Sequence, residues 1–181
     1  FVSLMTKFSN PVLGILAGTI FTAIIQSSSA SVGILQTLAT NGLISFPSAV
    51  FVLFGQNIGT CITAVLASVG TNRNAKRTTV IHLLFNIIGT TIFTILCLTL
   101  PLAEFVENIT PGRPAAQIAN MHTLFNVVTT LILLPLGGYL ASLAEIILPD
   151  KKGEVSDERR SSLDYDFLSK NKKLGFSAIH L

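Results

Sequence analysis

The sequence predicts an all-α fold, a polytopic helical membrane protein that contains a re-entrant hairpin and a broken transmembrane helix. Three observations lead there. Only 12% of the 181 residues are charged, whereas a soluble domain carries roughly 25%, so this chain has too little charge to cover a water-facing surface. No Asp, Glu, Lys or Arg occurs in residues 8–72, 78–103 or 114–144, uncharged runs of 65, 26 and 31 residues, and runs of that length are membrane material. Polar residues and helix breakers then cut these runs into pieces, some too short to cross a bilayer. A soluble nucleic-acid binder is excluded despite the net charge of +3, and so is a secreted disulfide scaffold. Cys61 and Cys97 lie inside apolar segments and read as small buried thiols.

The elements follow in order. Pro11 to Ile25 is 15 residues, about 22 Å of helix against the ~30 Å that a span needs. Gln26-Ser27-Ser28-Ser29 comes next and then a second short apolar stretch, Ala30 to Thr40, so residues 11–41 form a hairpin with a polar tip. Residues 47–69 are long enough to cross, but Gly55-Gln56-Asn57-Ile58-Gly59-Thr60 sits near their middle and predicts a broken span. A basic turn at residues 71–77 precedes a span over 78–100, and a loop over 101–114 leads to a longer span over 115–148. That last segment exceeds the hydrocarbon core, and Pro135 with Gly137-Gly138 is where a kink is expected. Residues 1–149 thus form one membrane unit, and residues 150–181, with seven of the 12 basic and six of the nine acidic residues, read as an aqueous tail.

The positive-inside rule puts the basic turn and the tail, which begins with Lys151-Lys152, in the cytoplasm, and the loop bearing Glu104 and Glu107 outside. Both ends of the hairpin are then outside. The opening at Phe1 has neither a basic n-region nor a cleavage site, so it does not read as a signal peptide, and the chain is expected to be part of a longer protein.

Non-helical backbone inside a membrane is tolerated only where protein buries it or it lines a watery cavity. The hairpin tip and the broken span should therefore meet around one cavity. Hydroxyls, amide oxygens and freed carbonyls suit an alkali cation, while hydroxyls, N–H groups and helix N-termini donate to an anion. Short broken segments near the midplane point to a secondary transporter. Two blander readings stand beside this one: a Ser-rich stretch can serve close helix packing, and Gly55 with Gly59 has the spacing of a packing face. An internal echo, Ile81-His82-Leu83-Leu84-Phe85-Asn86 and Met121-His122-Thr123-Leu124-Phe125-Asn126, places His82 with Asn86 and His122 with Asn126 on one helix face each. These read as structural polar pairs. An enzyme is disfavoured, since no Gly-x-Ser-x-Gly elbow, acidic partner in a span or metal-ligand cluster is visible.

Gln26-Ser27-Ser28-Ser29-Ala30, then Gly55-x-Asn57-Ile58-Gly59-Thr60, then His82-x-x-Phe85-Asn86 resemble one repeat of the type II sodium/phosphate cotransporter family in its bacterial form. The resemblance covers residues 11 to about 148, and the ordered trio is more specific than any member alone. It implies two inverted repeats, each with a QSSS hairpin, of which this chain is similar to the second. It implies sodium-coupled import of inorganic phosphate, with sodium as a co-transported ion and no other cofactor. The alternatives are transport of another small oxyanion, or a membrane-anchored module that senses phosphate. By resemblance Gln26, Ser27, Thr60 and Thr63 would hold sodium, Ser27, Ser28, Ser29 and Asn57 would contact phosphate, and Asn57 would tie the broken span to the hairpin. The chain departs from the family pattern at Gln56 and Cys61. Implied partners are the lipid bilayer, the first QSSS repeat and a helical domain similar to PhoU, to which Leu163-Asp164-Tyr165-Asp166-Phe167-Leu168 resembles the linker. The implied location is a bacterial inner membrane with the tail cytoplasmic.

Overall fold

A computed structural model describes residues 10–150, and among them every regular element is a helix. In chain order these are α1 (Pro11–Ile25), α2 (Ser28–Thr40), α3 (Phe46–Ala67), α4 (Arg73–Thr99), α5 (Leu102–Ile109), α6 (Pro114–Leu133) and α7 (Gly137–Ile147). One compact unit runs to Ala144, and the next begins at Glu145 within the last turns of α7. The tail over 151–181 and its linker-like Leu163 to Leu168 lie outside the described residues.

The hairpin forms where the sequence places it. Asn10 caps α1, its Oδ1 accepting from Val12 N at 3.0 Å, and Pro11 occupies the first turn, where no N–H is needed. Gln26 ends α1 in the left-handed region, φ 59°, and Ser27 starts α2 as its N-cap. A two-residue break therefore turns the chain between helices of 15 and 13 residues.

Both arms lie on α3. Ile15 and Thr19 of α1 meet Gly55, and Thr19, Thr22 and Ala23 meet Gly59, so the contacts advance the same way along both helices and α1 runs parallel to α3. A methyl group added at Gly18 would overlap the Val52 carbonyl, and one at Gly55 would overlap that of Ile15. The glycines let the two backbones touch, and Thr19 Oγ1 donates across the seam to Gly55 O at 3.1 Å. α2 runs the other way, since its end joins the start of α3 through residues 41–45 while Ser31 O accepts from Gln56 Nε2 midway along α3.

The break expected within residues 47–69 is absent: α3 is one uninterrupted helix of 22 residues. Gly55 and Gly59 weaken a lone helix, but here they fit α1 against it, and packing outweighs propensity. The broken membrane helix lies later. α6 and α7 bend 84° apart across residues 134–136, where Pro135 predicted a kink, so the expected single span over 115–148 is two helices. α6 alone, at 20 residues, reaches about 30 Å, the hydrocarbon thickness.

α3 is also the hub of the core. Phe54 of α3 packs with Phe93 of α4 and Phe125 of α6, with ring centroids 5.0 Å apart for Phe93–Phe125 and 5.4 Å for Phe54–Phe125, and Phe51 lies edge-on to Phe54 at 6.4 Å. α3 and α4 are each long and apolar enough to cross a membrane, and the bent pair α6–α7 meets the same test when taken together. α4 begins at Arg73 with Asn72 as its cap, so most of the basic segment expected as a turn is the first turn of that helix.

Candidate functional site at the hairpin tip

Four uncharged polar side chains in a row, Gln26 to Ser29, stand where two half-length apolar helices meet. The Gln26 N–H closes α1 by donating to Thr22 O at 2.7 Å. Ser27 Oγ accepts from Ala30 N at 3.4 Å, and Ser31 N donates to Ser27 O at 3.0 Å. Helix geometry leaves the N–H groups of Ser28 and Ser29 without carbonyl acceptors inside α2, and the helix dipole adds partial positive charge there. Ser27 Oγ and Ser29 Oγ are 3.4 Å apart. Gln26 and Ser29 are exposed, and Ser27 and Ser28 half-buried. Such a tip donates to an anion with backbone and hydroxyl groups and no formal charge.

Thr60 and Thr63 lie on α3 just beyond the contact of Gly59 with Thr22 and Ala23. Because the helices are parallel, Gln26 and Thr63 each stand one turn further along. Both threonine hydroxyls bond within α3, Thr60 Oγ1 to Gln56 O at 2.9 Å and Thr63 Oγ1 to Thr60 O at 2.9 Å. Among the described residues no hydrogen bond joins either of them to the tip.

Asn57 does not make the expected tie to the hairpin. Its Oδ1 is 3.2 Å from His122 Nε2, joining α3 to α6, and its Nδ2 is buried without a partner. The tie to the hairpin comes from the neighbouring Gln56, whose Nε2 donates to Ser31 O at 3.0 Å. Of the echoed pairs, Asn86 Nδ2 donates to His82 O at 2.9 Å and sits 3.4 Å from Cys61 Sγ, while Asn126 Nδ2 donates to His122 O at 2.8 Å. Both echoes therefore lean on one stretch of α3, at Asn57 and Cys61.

Two polar residues that the sequence left unremarked are also here. Thr22 and Ser31 are wholly buried, and neither hydroxyl has a partner. Their signal was helical spacing: Gly14, Gly18 and Thr22 form one buried stripe of α1, and Ser31, Leu35 and Ala39 one of α2.

These features define a helical membrane protein in which the arms of a short hairpin with a polar tip pack against a continuous helix long enough to span. Residues 1–107 match the family model described as Na+/Pi-cotransporter, and the chain belongs to that family. It is 42% identical over 137 residues to "Uncharacterized protein YqeW" of Bacillus subtilis (strain 168), a match covering 76% of this chain and 44% of that protein. It is 31% identical over 156 residues to "Putative inorganic phosphate export protein YjbB" of Escherichia coli (strain K12), covering 86% of this chain and 28% of that one. A shorter match, 38% over 60 residues, is to "Sodium-dependent phosphate transport protein 2A" of Rattus norvegicus, covering 33% of this chain and 9% of that one. The chain thus spans less than half the length of each of these relatives. No solved structure matches it.

Proposed function

We propose that this chain is the second QSSS repeat of a sodium-coupled carrier that imports inorganic phosphate across a bacterial inner membrane. The observation that carries the reading is the break at Gln26–Ser27, which sets a polar, donor-rich helix start between two helices too short to cross a bilayer. Membership of the Na+/Pi-cotransporter family supports the substrate. Phosphate accepts from the Ser28 and Ser29 backbone and from the hydroxyls of Ser27 to Ser29, and Asn57 of α3, whose Nδ2 has no partner, is assigned as its further donor. Sodium sits among Gln26, Ser27, Thr60 and Thr63, once the two threonine hydroxyls turn from their own carbonyls.

Sodium has a definite energetic task. Bringing a phosphate dianion into a cell at about 100 mV, inside negative, costs about 2.3 kcal/mol per charge, so about 4.6 kcal/mol. Two sodium ions cancel that term and a third makes entry electrically favourable. Coupling requires that ion and anion favour the same state, each lowering the other's binding cost. The first repeat completes the cavity, residues 71–77 and the tail face the cytoplasm, and a PhoU-like domain follows the tail.

The test is radiolabelled phosphate uptake by proteoliposomes holding the full-length protein, with and without an inward sodium gradient. Sodium-dependent uptake that Ser28→Ala reduces at least tenfold is the expected result. Folded wild type with no sodium-dependent uptake overturns the reading. The name of the relative YjbB, a putative inorganic phosphate export protein, favours a second reading, the same site working outward. In that case inside-loaded phosphate leaves the vesicles and no inward sodium gradient drives its uptake.

A further inference from the structure

The two His-Asn echoes are used differently. In the first it is the backbone oxygen of His82 that accepts, from Asn86 Nδ2 at 2.9 Å and from Cys61 Sγ at 3.7 Å. In the second the His122 ring itself leaves α6 and meets Asn57 of α3, Nε2 to Oδ1 at 3.2 Å. An amide oxygen carries no proton, so the ring nitrogen donates. That contact decides which end of the Asn57 carboxamide faces α6. The other end, Nδ2, is buried without a partner, and Asn57 as a whole is 8% exposed. A buried amide with idle N–H groups is costly unless something else accepts from them.

The pair stands beside the hairpin tip. Asn57 follows Gln56, whose Nε2 donates to Ser31 O, and is therefore level with the first turn of α2. α6 gives the same level by a separate route. Gly89 of α4 meets Thr129 and Phe93 meets Phe125, so α6 is antiparallel to α4. Thr90 of α4 reaches Phe54 O and Asn86 reaches Cys61, so α4 is antiparallel to α3. α6 thus runs with α3 and against α2. Gln36 Nε2 donates to Ala115 O at 3.1 Å, joining α2 to α6. Seven residues back along α2 is Ser29, and seven residues on along α6 is His122, about 10 Å of helix in each case. Both routes bring Asn57 and His122 to the level of the serines.

We infer that His122 is a positioning residue for the anion: its ring holds the Asn57 oxygen toward α6, so that Asn57 offers its N–H groups, and not its oxygen, to phosphate bound at the hairpin tip. A carboxamide free to turn could give its oxygen to a cation or its nitrogen to an anion. With the oxygen engaged by a ring N–H, that choice is made. His122 thereby keeps Asn57 out of the sodium ligands and supplies an uncharged site with one more donor for a charged ligand. The inference deepens the transport reading and rests on it for the substrate.

The experiment measures binding of radiolabelled inorganic phosphate to the full-length protein in nanodiscs, with sodium chloride present, for wild type, Asn57→Ala, His122→Ala, His122→Gln and the double variant Asn57→Ala/His122→Ala. Asn57→Ala and His122→Ala should each weaken binding by about tenfold or more. His122→Gln restores an N–H donor and should stay within about threefold of wild type. The double variant should bind within about twofold of Asn57→Ala, because His122 acts through Asn57. A merely structural histidine gives additive losses and no rescue by glutamine. Either of those results overturns the assignment, as does wild-type binding by folded His122→Ala. Size-exclusion chromatography selects the folded variants, and His122→Phe, which keeps a ring, carries the test if His122→Ala does not fold. If the variants behave as expected while wild-type vesicles show no sodium-driven phosphate uptake, the assignment stands and the transport reading falls. If uptake is sodium-driven and His122→Ala leaves phosphate binding unchanged, the transport reading stands and the assignment falls. No saturable phosphate binding by wild type overturns both.

Discussion

Gln26 holds φ at 59°, a region where any side chain with a β-carbon is strained and a β-branched one more so. Glutamine is kept there although glycine would fit better, which fits a task for its carboxamide. Gln26→Gly should therefore leave thermal unfolding of the full-length protein unchanged or raise it, while lowering sodium-driven uptake. Gln26→Val should lower stability by about 1–2 kcal/mol. His122 and Asn57 form the other informative pair. His122→Leu removes the one side-chain partner that Asn57 has among the described residues and leaves a buried carboxamide bare, at a cost of about 1–3 kcal/mol. Adding Asn57→Leu should recover part of that loss, because an apolar pair has nothing left to satisfy. Thermal unfolding of the two variants decides it, and a double variant less stable than His122→Leu alone would sink the account.

At the scale of elements, the seam between α1 and α3 depends on absent side chains. Gly55→Ala forces a methyl group into the Ile15 carbonyl, which is backbone and cannot yield, so the arm must lift away. Gly33 in α2 has nothing within 4 Å of an added Cβ, and Gly33→Ala should stabilise by about 0.5–1 kcal/mol through helix propensity alone. The contrast is the prediction, read as thermal unfolding temperatures moving in opposite directions. It also shows what could be read from the sequence. The hairpin was legible because a polar run between two short apolar runs is a local pattern, and the kink at Pro135 because proline acts on its own helix. The continuity of α3 was not, since the meaning of Gly55 and Gly59 depends on α1, some forty residues earlier in the chain. Nor could the sequence say that Gln56 rather than Asn57 reaches the hairpin. Adjacent helix residues differ in direction by about 100°, and only the packing of the helix chooses between them.

For the whole molecule, the alternation of α3 and α4 makes a claim about sides. α2 ends where α3 begins and α4 ends where α5 begins, so Asn41 and Asn108 should lie on one side of the membrane and Lys76 on the other. On a background of Cys61→Ser and Cys97→Ser, single cysteines at these three exposed positions report it through a maleimide that cannot cross lipid. Labelling of Asn41→Cys and Asn108→Cys from outside, and of Lys76→Cys only after permeabilisation, is expected. All three reacting from one face would overturn this topology.

The short break at the hairpin tip also bears on how the chain enters a membrane during synthesis. Neither arm is long enough to anchor itself, and the Gln26–Ser27 backbone exposed to lipid would leave polar groups without partners. Yet the ribosome makes both arms before α3, the surface they need. The hairpin must therefore wait in a sheltered, wet place, and its insertion is timed by the arrival of residues 46–67 rather than by its own hydrophobicity. Nascent chains arrested before and after that helix emerges should differ in whether a cysteine at the tip can be labelled.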